Sequence, residues 1–206
     1  IKITANASLI GGTILLEANR VSTIASPIRP FGGGKKDSAI NITGATIQGD
    51  TITISATAED QSLFNLPDWA QNNFLAPLES FFGDGVFPAI PFAAMVRSSE
   101  TSITLTDTTI IGTGDVHISS TTVVDSTTEA LAVQDGWKAP GGVVNAIYRR
   151  LNQLSLGYSQ AIGSAITTLD GSTTISTSGN VSVTSSSDTT AAITSRTTLN
   201  ATVPGA

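Results

Sequence analysis

Apolar and polar positions alternate in four short stretches of the chain, and the four are variants of one phrase. The first reads Leu9-Ile-Gly-Gly-Thr-Ile14-Leu-Leu16-Glu-Ala18 and the second Ile47-Gln-Gly-Asp-Thr-Ile52-Thr-Ile54-Ser-Ala56. The third, Ile110-Ile-Gly-Thr-Gly-Asp-Val116-His-Ile118-Ser-Ser120, and the fourth, Ile175-Ser-Thr-Ser-Gly-Asn-Val181-Ser-Val183-Thr-Ser185, carry one more residue at the turn. In each, an apolar residue leads into a Gly-containing turn, followed by an apolar, any, apolar strand. A spacing of two puts Ile52 and Ile54, or Val116 and Ile118, on one face, which predicts half-buried strands with Thr53, His117 and Ser182 facing water. Upstream of each phrase a further short strand is predicted: Ile1 to Ile3, Ile40 to Ile42, Ile103 to Leu105 and Ile166 to Leu169.

Units of two or three such strands cannot bury an apolar face alone, so the copies are expected to stack. The predicted fold is all-β, a right-handed parallel β-helix or β-solenoid with loop and helical insertions, in which Thr, Val and Ile suit the pleated surface and Gly, Asn and Asp the corners. A β-sandwich is the alternative, because Ser/Thr-rich alternating strands build sandwiches too. The chain is expected to be one solenoid domain or segment over residues 1–206. Its opening on Ile1, with alternation already under way, suggests a trimmed or excised piece.

Three stretches between the blocks contain no Thr, Ile24 to Ser38, Ala58 to Glu100 and Ala130 to Ala165, and are read as insertions at about 21–39, 58–100 and 130–165. The first, with Pro27, Pro30 and Gly32-Gly33-Gly34-Lys35-Lys36, is expected to be a loop. It lacks the strand, Gly-Lys-Ser/Thr and helix order of a phosphate-binding loop. The second holds Phe64, Trp69, Phe74, Phe81 and Phe82 and is expected to form an aromatic flap, with Pro77 opening a short helical face. In the third, Val144, Ile147, Leu151 and Leu154 recur at three and four residues, predicting an amphipathic helix.

Composition and charge then exclude several function classes. The 206 residues include no cysteine, which excludes disulfides and thiolate metal sites. Charged residues are 13% of the chain and the net charge is −6, with no basic run beyond Lys35-Lys36 and Arg149-Arg150. Nucleic acid is therefore not an expected partner. No apolar run approaches the roughly 20 residues that span a bilayer, so no membrane span is expected.

No catalytic, cofactor-binding or metal-ligating residue can be assigned from the sequence. His117 is the single histidine and is predicted to face solvent; the outward row offers no carboxylate pair, and Glu59-Asp60 is the one adjacent acidic pair. No enzyme activity and no cofactor are expected. Calcium is the ion left open, because Asp50, Asp115 and Asn180 occupy comparable turns and Asp84 and Asp170 offer further oxygens; the simpler role of such residues is to satisfy the turn backbone. Trp69, Phe74 and Trp137 form the candidate sugar platform of a carbohydrate-binding or carbohydrate-active alternative.

The phrases Gly-Asp-Thr-Ile52-Thr-Ile54-Ser-Ala56, Gly-Asp-Val116-His-Ile118-Ser-Ser and Gly-Asn-Val181-Ser-Val183-Thr-Ser-Ser resemble the Ser/Thr-rich parallel β-helix repeats of large bacterial extracellular proteins, filamentous-haemagglutinin-like adhesins and autotransporter passengers. The resemblance covers about half of the chain. It implies a secreted or cell-surface structural and adhesive module, a stalk, matrix or filament component, partnered by itself, by neighbouring repeats of a longer chain or by glycans. It brings no catalytic residues.

Overall fold

The computed structural model describes residues 1–23, 31–63, 92–135 and 156–200. Among these the regular structure is β, with no helix. The strands are β1 (Lys2–Ile3), β2 (Ser8–Ile10), β3 (Thr13–Thr23), β4 (Phe31–Thr43), β5 (Thr46–Gly49) and β6 (Thr51–Leu63), then β7 (Phe92–Thr106), β8 (Thr109–Gly112), β9 (Val116–Asp135), β10 (Leu156–Asp170), β11 (Thr174–Thr177) and β12 (Val181–Asn200). They form three four-stranded sheets, ordered β1-β4-β7-β10, β2-β5-β8-β11 and β3-β6-β9-β12. Every pairing between strands is parallel. The chain thus visits the first, second and third sheets in rotation and makes four such circuits, each laid on the one before. Parallel pairing throughout sets aside the β-sandwich, whose sheets are antiparallel.

The four sequence phrases fall into register. Ile14 pairs with Ile52, Ile52 with Val116 and Val116 with Val181. Leu9, Ile47, Ile110 and Ile175 form the matching column of the second sheet. In the first sheet Ile3, Ile42, Leu105 and Leu169 align. The members of these columns other than Leu169 and Val181, with Ile40, Ile54, Ile103 and Ile118, make the core where the three sheets meet. Complete burial of each such side chain contributes about 1.5–3 kcal/mol, which is what holds one circuit on the next. In the fourth circuit Leu169 keeps its column, but Thr167, not Ile166, lies opposite Ile103, and Ile166 is exposed.

Away from the second sheet, the first and third sheets face each other directly, and the inward positions become small and hydroxylic. Ser38, Ser99, Thr101, Ser120, Thr122 and Ser126 are all buried there. Their hydroxyls bond across the gap: Thr101 Oγ1 donates to the Thr121 carbonyl at 3.0 Å, Thr122 Oγ1 to the Ser164 carbonyl at 2.7 Å, and Ser38 Oγ to the Ala18 carbonyl. Small side chains let the sheets approach closely: a Cβ added to Gly163 would stand 2.6 Å from Thr189 Cγ2 and 2.7 Å from Ser187 Oγ.

Strand pairing reaches into each range read as an insertion. The loop expected over 21–39 is β-strand at Val21–Thr23 and again from Phe31, so the Gly32-Gly33-Gly34-Lys35-Lys36 run lies on β4. The range 58–100 is strand up to Leu63 and from Phe92, and the range 130–165 is strand up to Asp135 and from Leu156. The reason is that a closely packed pair of sheets accepts Ala, Ser and Gly inward as readily as Thr, so the loss of Thr does not end a strand. The remainder, 24–30, 64–91 and 136–155, lies outside the described residues, and with it the aromatic flap and the amphipathic helix. In chain order each of these three ranges falls between a strand of the third sheet and a strand of the first.

Candidate functional site

The residues first considered for chemistry are built into the turns and sheet faces. His117 is exposed on β9, and its neighbours across the sheet are Thr53 and Ser182, neither of them an acid or a base. Asp115 and Asn180 do stack, with Asp115 Oδ1 accepting from the Asn180 backbone N–H at 2.8 Å and from Nδ2 at 3.3 Å. Asp50 is displaced from that column by the extra turn residue: its carbonyl accepts from Gly114 N at 2.7 Å and its Oδ1 from Thr113 Oγ1 at 2.7 Å. These oxygens are occupied with the turn of the adjoining circuit. No group of three or more His, Cys, Asp or Glu able to hold a metal ion occurs among the described residues. Asp84 and the aromatic trio Trp69, Phe74 and Trp137 lie outside the described residues.

A second turn column, between the first and second sheets, was not evident in the phrases. Asn6, Gly44, Asp107 and Gly171 each adopt positive φ, at 67°, 61°, 48° and 63°. One residue per circuit reverses the chain in the left-handed region, where Gly, Asn and Asp are the tolerated types. The signal was present as one such residue between an upstream strand and a Thr- or Ser-headed one, but the four identities share only that tolerance. Asp107 Oδ1 also accepts from the Ser172 backbone N–H and hydroxyl, both at 2.9 Å, and these bonds hold its carboxyl below the ordinary aspartate value. On β4, Lys35 Nζ lies 3.0 Å from Asp37 and 3.6 Å from Glu100. Its hydrogen bond to Asp37 raises its pKa, and both pairs are exposed surface contacts of small energetic weight.

Inside the stack, Asp60 and Arg97 form a buried ion pair. Arg97 Nη1 donates to Asp60 Oδ1 at 3.0 Å, and the side chains are 6% and 0% exposed for Arg97 and Asp60 respectively. Asp60 Oδ2, Arg97 Nε and the neighbouring Ser99 Oγ have no hydrogen-bond partner among the described residues. Reading Glu59-Asp60 as the edge of an insertion missed this pair. The alternation places both side chains inward, since Asp60 continues the inward series Ile52, Ile54, Ala56, Ala58, and Arg97 belongs to the inward series ending in Ile103 and Leu105.

The outer edge of the fourth circuit carries apolar residues that are half exposed. Val181 is 49% exposed, whereas Ile52 and Val116 in the same column are 0%. Val183 is 43% exposed against 0% and 1% for Ile54 and Ile118, and Leu169 is 44% exposed against 0% for Ile42 and Leu105. The chemistry of each column is unchanged while its cover is missing. Neither β10 nor β12 has a strand on its outer side among the described residues. Soluble proteins blunt such edges with Lys, Pro or bulges. Neither strand contains Lys or Pro, and their charged residues are only Asp170, Asp188 and Arg196. No helix among the described residues is long and apolar enough to cross a membrane. Searches of protein families, curated proteins and solved structures find no match to this chain, so its reading rests on this geometry.

Proposed function

We propose that the protein is a structural and adhesive module of a bacterial extracellular or cell-surface assembly, folded as a right-handed parallel β-helix whose last circuit receives further circuits. The observation that carries this reading is the fourth circuit, which repeats the inward chemistry of the buried ones and leaves it half exposed. Right-handedness follows from the rule that parallel crossovers in one sheet take that hand. An extracellular setting is supported by a Ser/Thr-rich, cysteine-free, sparsely charged composition. In such a module the stacked strands are a rigid frame that carries the load.

A tandem chain tests this reading. Residues 1–200 are continued by residues 24–200 of a second copy, so that the natural 24–30 connection leads from β12 into a second β4 and β6. Stacked repeats share nearest-neighbour interfaces. The tandem is expected to unfold in one transition, with a melting temperature raised by roughly 5 °C or more over the single chain. Two independent transitions, with no gain over the single chain, would contradict the proposal.

A further inference from the structure

At the left-handed corner between the first and second sheets, the residue that precedes the turn is Ala5, Thr43, Thr106 and Asp170 in the four circuits. Only the fourth corner joins a carboxyl to a following glycine. The Gly171 N–H, at a φ of 63°, donates to Asp170 Oδ1 at 2.8 Å, and both residues are exposed. The other turn aspartates among the described residues, Asp50, Asp107 and Asp115, precede bulkier residues whose N–H groups are taken elsewhere. Thr51 N donates to the Gly12 carbonyl at 3.2 Å, Thr108 N to Thr173 Oγ1 at 3.3 Å and Val116 N to the Asn180 carbonyl at 2.8 Å. Gly171 N is held instead against the carboxyl it follows.

From this contrast we infer that Asp170-Gly171 is a self-modification site, at which the folded chain converts aspartate to isoaspartate through a cyclic imide. The reaction needs the Gly171 nitrogen at Asp170 Cγ, and a nitrogen 2.8 Å from Oδ1 already lies beside that carbon. Holding two reacting groups together removes much of the entropy cost of their encounter. The terminal torsion of an aspartate is broad, so the carboxyl can turn its face to the nitrogen while the backbone stays in place. That backbone is tied down: the Asp170 carbonyl accepts from Thr173 Oγ1 at 2.7 Å and from Asp107 N at 3.3 Å. Glycine also adds no Cβ to crowd the attack.

In the first step the nitrogen bonds to Cγ of the protonated carboxyl, the Cγ–O bond breaks, and the hydroxyl leaves with the amide proton as water. The product is a five-membered succinimide. Water then adds to one of its two carbonyls. Breaking the new Cγ–N bond restores aspartate, whereas breaking the original backbone C–N bond leaves the chain running through Cγ with a free α-carboxylate. The water released in the first step is returned in the second. Isoaspartate lengthens the backbone by one atom at a corner where the Ser172 N–H and hydroxyl each donate to Asp107 Oδ1 at 2.9 Å, so the modified turn loosens its hold on the third circuit.

The full chain tests this when kept folded at neutral pH for several weeks, digested, and read by fragmentation mass spectrometry that distinguishes the two linkages. Isoaspartate at Asp170 is expected at least about tenfold above that at Asp50, Asp107 or Asp115, and to form within about threefold of the rate in a free peptide of residues 166–176. Asp170→Glu, which would have to close a six-membered ring, should lose the product at this position. Isoaspartate that forms at Asp170 in the peptide but not in the folded chain would overturn the inference, as would a yield at Asp170 no greater than at Asp107.

Discussion

Asp60 and Arg97 meet in the space between two sheets, where neither charge reaches water. The desolvation of two ions there offsets most of their mutual attraction, so the pair adds little net stability while each partner depends on the other. Arg97→Ala strands the Asp60 carboxylate and is expected to cost about 3–5 kcal/mol in urea unfolding. The double variant Asp60→Leu/Arg97→Met should be close to neutral or stabilising. A mild single variant, or a double variant as damaging as the single, would show that the two charges are not coupled. The pair fixes which residue of β6 faces which residue of β7, where the facing sheets are lined with interchangeable Ser, Thr and Ala. The period-two alternation made its inward placement legible. Its pairing was not, because Asp60 and Arg97 are separated in the chain by the whole 64–91 segment.

Strands in this frame are set by column as much as by sequence. Ile52 and Val181 hold the same position in their phrases, yet one is buried and the other half exposed, because among the described residues one has a circuit on each side and the other does not. Alternation alone predicts the same penalty for a charge at both. The structure instead predicts that Ile52→Asp, which buries an unpaired carboxylate, costs several kcal/mol, while Val181→Asp costs under about 1 kcal/mol in the isolated chain. Chemical denaturation of the two variants decides it; equal losses would refute the assigned order of circuits. The inward pairs and the second-sheet turn were readable because Ile, Val and Gly recur at fixed spacing. The left-handed corner of Asn6, Gly44, Asp107 and Gly171 was not, since three residue types answer one backbone requirement. Strand ends were misjudged for a related reason: Ala58, Gly163 and Ser99 pack inward as well as Thr does, so composition changed before the secondary structure did.

At the scale of the whole molecule, the four circuits make a stack with a hydrocarbon spine at one side and a hydroxyl-lined pair of facing sheets at the other. Leu169, Val181 and Val183 of the fourth circuit are half exposed and no strand lies on that side of β12 among the described residues, so continuation of the stack in that direction is the proposal to be tested. Backbone amides of β12 that point away from β9 are the most local reporters of that direction. Amide hydrogen exchange of β12, compared between the single chain and the tandem chain, is the most direct measurement. If the fourth circuit is built to be covered, alternate β12 amides exchange rapidly in the single chain and become as slow as those of β9 in the tandem. Rapid exchange that persists unchanged in the tandem would contradict the account.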